Sequence, residues 1–297
     1  MATTVPRVVV VTRRTEYELL LNHHATRGQA AFFLEQRGQG LEDLERLDQK
    51  QRDCVHGLIR SIPTNWRRHR VDRDDLDRFL FEPDDIVVAL GQDGLVANLA
   101  KYVSGQPVIG LNPAPELYEG VLARHGIEQA GRLIRGAVEG GPCEARTMVK
   151  AELDDGQSLL ALNEIFIGHQ SHQSARYRIR FGEEEEAHSS SGMVVTSGTG
   201  ATGWARSIHA AYRSRRTLPE PTSGKLAFFV REPFPSPSTG TSIKEGPIDR
   251  DTPLYLVSEM NRGGVVFGDG IETDRLDFSW GRTLQVQPAM EKLRLVV

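Results

Sequence analysis

Ile86-Val87-Val88-Ala89-Leu90-Gly91-Gln92-Asp93-Gly94-Leu95 is the stretch from which the rest of the chain can be read. Its five consecutive apolar residues are the pattern of a parallel strand covered on both faces. A turn bounded by Gly91 and Gly94 ends that strand, and Leu95, Leu99 and Val103 then recur at helical spacing. Strand, glycine turn and helix make one unit, and the flanking sequence repeats the form. Residues 5–12 are a β-branched run of buried-strand length. Residues 16–36 read as a helix with a break at Gly28, where glycine costs about 1 kcal/mol relative to alanine. Residues 41–62 form a second helix stopped by Pro63, 66–71 a short strand and 74–81 a short helix. After the central turn, 108–111 is the next strand. Such alternation predicts an α/β N-terminal domain with a parallel sheet, in which ligands bind beyond the carboxyl ends of the strands.

From residue 120 the texture changes. One helix is expected at 127–139, followed by strands at 146–153, 158–167, 175–181, 192–196, 226–230, 253–257, 264–267 and 283–297. Asp154-Asp155-Gly156 and Gly268-Asp269-Gly270 supply turn chemistry between them. The expected organisation is therefore an α/β domain over 1–119 and a mainly β sandwich domain over 120–297. The acidic block 183–186 reads as a solvated turn, and the Pro-, Ser- and Gly-rich 233–246 as a loop.

Composition sets limits on function. The 297 residues carry 36 basic and 40 acidic side chains, a net charge of −4, which supplies no large positive field for nucleic-acid backbones. No run approaches the length of a membrane span, and the apolar 8–10 are too short for a secretory signal. Two cysteines, Cys54 and Cys143, exclude a disulfide framework. A cytoplasmic protein that contacts neither nucleic acid nor membrane is expected. Lysine occurs only six times among the basic residues, an arginine bias that reads first as composition.

Three clusters hold candidate chemistry. In the first, Asp93 suits the N-cap of the following helix. The same glycine turn would also let phosphate oxygens approach Gly91, Gln92 and Gly94 at a helix N-terminus, with the Asp93 carboxylate placed to take a proton. In the second, Leu162-Asn163-Glu164-Ile165 places two polar residues in a strand-like run, either as a strand-end pair or as groups that meet a ligand. The third, residues 190–204, runs an apolar strand into Ser197-Gly198-Thr199-Gly200-Ala201-Thr202-Gly203-Trp204. Small hydroxyl residues supply donors there, glycines let a ligand approach the backbone, and Trp204 offers an aromatic face to a base.

The three clusters in this order resemble the NAD kinase family, and the mitochondrial-type branch in particular. Residues 107–112, 161–168, 199–204, 230–233 and 268–270 have near counterparts there, and the likeness spans about 5–297. The resemblance implies transfer of the γ-phosphoryl group of ATP, or sometimes of inorganic polyphosphate, to the 2′-hydroxyl of the adenosine ribose of NAD. It implies Asp93 as general base and Gly91, Gln92 and Gly94 at the donor phosphates. Asn163, Glu164, Thr199, Gly200, Thr202 and Trp204 are implied at NAD, Mg²⁺ accompanies ATP, and the assembly is a homodimer or homotetramer. Two positions depart from the family's Gly-Gly-Asp-Gly-Thr: Gln92 replaces the second glycine and Leu95 the threonine. If that glycine takes φ > 0, Gln92 is strained there by about 1–2 kcal/mol. A dinucleotide-binding regulatory protein is one alternative. A related small-molecule or lipid kinase is another, but those lipid kinases carry Gly-Thr-Gly-Asn some two dozen residues after the aspartate turn. Here Gly198-Thr199-Gly200 falls more than a hundred residues later and lacks the Asn.

Overall fold

The computed structural model describes residues 5–297. The chain divides into two compact units, Met1–Cys143 with Arg294–Val297, and Glu144–Leu293.

The first unit is built from β1 (Arg7–Thr12), α1 (Glu16–His24), α2 (Arg27–Glu35), α3 (Leu41–Ser61), β2 (Arg67–Asp72), β3 (Asp85–Leu90), α4 (Asp93–Ala100), β4 (Pro107–Leu111) and α5 (Ala130–Val138). Its strands run in the order β2-β1-β3-β4, all parallel. Val8–Val11 of β1 and the whole of β3 and β4 are buried, as their unbroken apolar runs require. The arginine-rich β2 forms the edge, where exposed charges discourage further strand pairing. Val55 and Leu58 of α3 and Leu133 and Ile134 of α5 share one core cluster with Val8, Val10, Ile86 and Val88, while α4 packs against β3 and β4. Arg7 and Asp85 are register partners on β1 and β3, and the guanidinium meets the fully buried carboxylate through two 2.6 Å bonds.

Three expectations change here. The helical stretch 16–36 breaks at Ala25–Thr26 rather than at Gly28. Ala25 takes φ 60 to end α1, and the Thr26 hydroxyl accepts the Gln29 amide to start α2. Residues 73–78 form a 3-10 turn. The division between units falls at Cys143–Glu144 rather than at 119/120, because α5 completes the first core.

The second unit follows as β5 (Cys143–Leu153), β6 (Ser158–Ala161), β7 (Glu164–His169), β8 (Ala175–Phe181), β9 (Glu184–Ser190), β10 (Met193–Ser197), α6 (Trp204–Ala211), β11 (Leu226–Val230), β12 (Glu245–Ile248), β13 (Leu254–Ser258), β14 (Gly264–Gly268), β15 (Arg275–Asp277) and β16 (Thr283–Val296). One sheet has the order β12-β11-β10-β7-β14-β15; in the other, β13 pairs with β16 and β8, and β5 pairs with β16 and β6. Alternate residues from both, including Ile165, Ile167, Tyr177, Val195, Phe228 and Leu256, fill the core between them. The last strand is shared, since Arg294 and Leu295 pair in parallel with Pro107 and Val108 of β4.

The acidic block is not a simple turn. Glu184 opens β9, and Glu186 accepts the amides of Ser242 and Ile243 and faces His188 Nε2 at 2.7 Å. The expected strand 158–167 is two strands, β6 and β7, separated at Leu162–Asn163.

Candidate functional site

In the first unit the strand order β2-β1-β3-β4 sends the connection from β1 to one side, toward β2, and that from β3 to the other, toward β4. Such a switch point opens a crevice beyond the strand ends. Gly91 and Gln92 follow β3 at this point, and the Gly91 N–H donates to Leu111 O at 2.9 Å. Gln92 is extended, with φ −85 and ψ 169, and neither Gly91 nor Gly94 is left-handed. The strain expected of Gln92 is therefore absent, because this turn asks for no positive φ. Leu95 turns into the core, where it is 1% exposed.

Asp93 is the first residue of α4 rather than its N-cap; Gln92 takes the cap position and makes no side-chain cap bond. The Asp93 carboxylate instead reaches the segment after β4. Oδ2 accepts the Val121 amide at 2.9 Å, and Oδ1 accepts those of Leu122 and Ala123 at 2.9 and 2.8 Å. The same segment presses on β4 at Gly110, where a Cβ would lie 2.2 Å from Leu122 O, so only glycine fits.

A cleft of about 110 Å³ opens at the switch point, lined by Arg13 and Arg14 after β1, Lys50 of α3, Gly91, Gln92 and Tyr118, among others. The sequence reading passed over these two arginines. Their signal was position alone, at the carboxyl end of a strand already recognised.

In the second unit the two remaining clusters come together. Asp269, in the left-handed region at φ 52, accepts the amides of Leu162, Asn163 and Glu164 at 2.8, 2.7 and 3.3 Å. Asn163 thus sits in a held bend and only Glu164 begins a strand, so the two do not alternate along one strand as expected. Asn163 O accepts the Ser197 amide at 2.9 Å. Gly200 closes against the same carbonyl, 2.3 Å from where its Cβ would stand, which excludes any side chain. Glu164 is half-buried; burial first, and the Asp269 charge second, push its carboxyl up to about 7.

Thr199 is buried, and its hydroxyl takes a 3.3 Å bond from Arg146, itself buried and paired with Glu144 at 2.7 Å. Thr202 is exposed and donates to Thr199 O at 3.1 Å. Trp204, 39% exposed at the start of α6, lies nearly parallel to Phe166 at 6.0 Å, with the Arg231 guanidinium 5.0 Å from its ring centre. Its aromatic surface is thus partly used within the protein. Arg146 and Asp269 are the supports that sequence reading missed. Among the described residues, no group of three or more His, Cys, Asp or Glu side chains is arranged to hold a metal, and no helix is long and apolar enough to cross a membrane.

The chain is thus an α/β unit with a carboxyl-end cleft and a β sandwich that holds a buried polar loop. Solved structures with this fold include an NAD kinase from Archaeoglobus fulgidus in complex with ATP, with TM-score 0.59 and 17% identity over 98% of this chain and 93% of that one. Yeast NADH kinase complexed with NADH gives TM-score 0.59 and 14% identity over 99% and 84%. The likeness establishes the fold. No family model and no curated protein matches the sequence.

Proposed function

We propose that the protein is an NAD kinase of the mitochondrial-type branch, moving the γ-phosphoryl group of ATP to the 2′-hydroxyl of the adenosine ribose of NAD. The observation that carries this is the interlock of the Asn163–Glu164 bend with the Ser197–Gly200 turn, in a chain whose fold is that of solved NAD kinases. Asn163, Glu164, Thr202 and Trp204 contact the dinucleotide in this reading, while Thr199 and Gly200 shape the loop. The Gly91, Gln92 and Gly94 turn receives donor phosphates. Among the described residues Oδ2 of Asp93 accepts one amide, and a further lone pair would take the 2′-hydroxyl proton. The freed oxygen bonds to the γ-phosphorus, the bond to the β–γ bridging oxygen breaks, and ADP leaves.

Mg²⁺ would enter with ATP, bound chiefly by the substrate phosphates at the Gly91–Gly94 turn, and would neutralise charge on their oxygens. A homodimer or homotetramer belongs to the same proposal and is checked by solution mass.

A second reading, a dinucleotide-binding protein that transfers nothing, is favoured by the three amides already on Asp93. Purified protein with Mg-ATP and NAD, assayed by a strictly NADP-dependent dehydrogenase, separates the two. NADP formation supports the kinase. Calorimetric NAD binding without NADP supports the second reading, and neither signal removes both.

A further inference from the structure

We infer that the cavity beside β11 and β12 in the second unit binds a small amphipathic carboxylate, an alkyl chain ending in one carboxyl group. The site lies within the second unit and uses none of the residues assigned to NAD or ATP. The cavity measures about 240 Å³. At about 30 Å³ for each water-sized group that is room for roughly eight methylenes, and it falls below the roughly 300–1,000 Å³ of pockets for drug-sized ligands. Its floor is apolar. β11 is buried on both faces: Leu226, Phe228 and Val230 turn into the sandwich core, and Ala227 and Phe229 turn to the side of α6. Ala227 and Phe229 line the cavity while 7% and 1% exposed, and Leu218, Pro219 and Pro247 add apolar wall. His209 of α6 steadies that wall. Its Nε2 donates to Arg216 O at 2.7 Å, and its ring meets Phe229 edge-on with centres 6.2 Å apart.

The rim selects the head group. Arg216, Thr217 and Lys225 are the polar side chains of the lining, all three able to donate, and among the described residues no carboxylate joins them. Glu245 stands 3.8 Å from Arg216 Nε, longer than a hydrogen bond, so this pair does not replace a carboxylate seated on the guanidinium fork. An alkylammonium of the same length would bring its charge against Arg216 and Lys225. A phosphate would leave the apolar floor unused. An added peptide strand is disfavoured as well. The Val230 amide donates to Lys244 O, so antiparallel alternation turns the Pro247 nitrogen to the open side of the edge strand β12, where a further strand would need an N–H.

The test titrates sodium octanoate into the full chain by calorimetry, beside hexanoate, acetate and octylammonium. Octanoate should saturate a single site. Hexanoate, two methylenes shorter, should bind roughly 15-fold more weakly, since each methylene is worth about fourfold. Acetate should show no saturation, and octylammonium should bind at least about tenfold more weakly than octanoate. Arg216→Gln/Lys225→Gln changes two exposed side chains, so it should melt near wild type and loosen octanoate roughly tenfold. Ala227→Leu fills the floor and should abolish octanoate binding. Leu218→Ala, which strips a half-buried wall residue, serves where that variant does not fold and should loosen octanoate about tenfold. Lys292→Gln, an exposed change on β16, should bind as wild type. Saturating NAD should not displace octanoate. Binding that follows chain length and head group and falls in the cavity variants supports the site. No saturable octanoate binding, equal affinity for octylammonium, cavity variants that bind as well as wild type, or displacement by NAD would overturn it.

Discussion

Replacing Asp93 by Asn exchanges one carboxylate oxygen for an NH₂ and tests what that carboxylate holds. In the native protein its two oxygens accept three successive amides at 2.8–2.9 Å, from Val121, Leu122 and Ala123. A carboxamide keeps one oxygen, which can retain Leu122 and Ala123, but turns an NH₂ toward the Val121 N–H, donor against donor. Charge assistance is lost at all three. A hydrogen bond to a charged group contributes about 1.5–3 kcal/mol, and Val121 is exposed enough for water to replace part of it. The net cost is therefore about 2 kcal/mol, localised on the segment that packs over Gly110. At about 1.4 kcal/mol per tenfold, amide hydrogen exchange at residues 121–123 should speed by roughly 30-fold. Amides of β3 serve as the internal reference. Protection at 121–123 that stays within about threefold of wild type, against that roughly 30-fold expectation, would refute the assignment of Asp93 as the clamp. Under the kinase proposal the same variant also loses at least about 100-fold in turnover, the scale of general-base assistance.

Three further outcomes are expected. Because Glu164 is pushed up to about 7 in the fold, its neutral form is the favoured one. Its contribution to stability is present below about pH 4.5 and lost as pH rises through 7, about 2 kcal/mol for a half-buried group. Glu164→Gln should flatten that part of the stability–pH curve measured by denaturant unfolding, and an unchanged slope would count against the shift. Gly200→Ala drives a methyl into Asn163 O, so it should lower the melting temperature and, if the dinucleotide binds here, weaken NAD by at least about tenfold, the scale of 1–3 kcal/mol of overpacking; a variant matching wild type in both would show that the loop has slack. Arg7→Ala strands the buried Asp85 carboxylate and should destabilise by about 3–5 kcal/mol, whereas Arg7→Met/Asp85→Leu recovers most of the loss in the same unfolding experiment.

Much of this molecule was legible where local pattern and burial coincide. Val8–Val11 and Ile86–Leu90 read as buried strands because a parallel strand covered on both faces has no polar alternation to hide it. The long α3 read correctly from its apolar spacing and from Pro63 beyond it. The misses are non-local. Residues 158–167 looked continuous because the bend at Leu162–Asn163 is made by Asp269, 107 residues further on. β9 has an acidic start that no hydrophobic period announces, and its Glu186 is satisfied by the amides of Ser242 and Ile243. At the candidate site, the order of Asn163, Gly200 and Trp204 along the chain is legible, whereas the bend that brings Asn163 against Gly200 is not. The amide partners of Asp93 and the place of Arg13 and Arg14 in the cleft lining depend on side-chain geometry that spacing does not encode.

The proposed reaction makes one bond that nothing else in the mixture makes: phosphorus to the 2′-oxygen of the adenosine ribose. Phosphorus NMR of NAD incubated with Mg-ATP and the purified protein follows that bond directly. A new phosphomonoester resonance growing as ADP appears, and absent with 2′-deoxy-NAD, is the expected result. ADP and free phosphate without the ester, or no turnover of ATP with NAD bound, would contradict it.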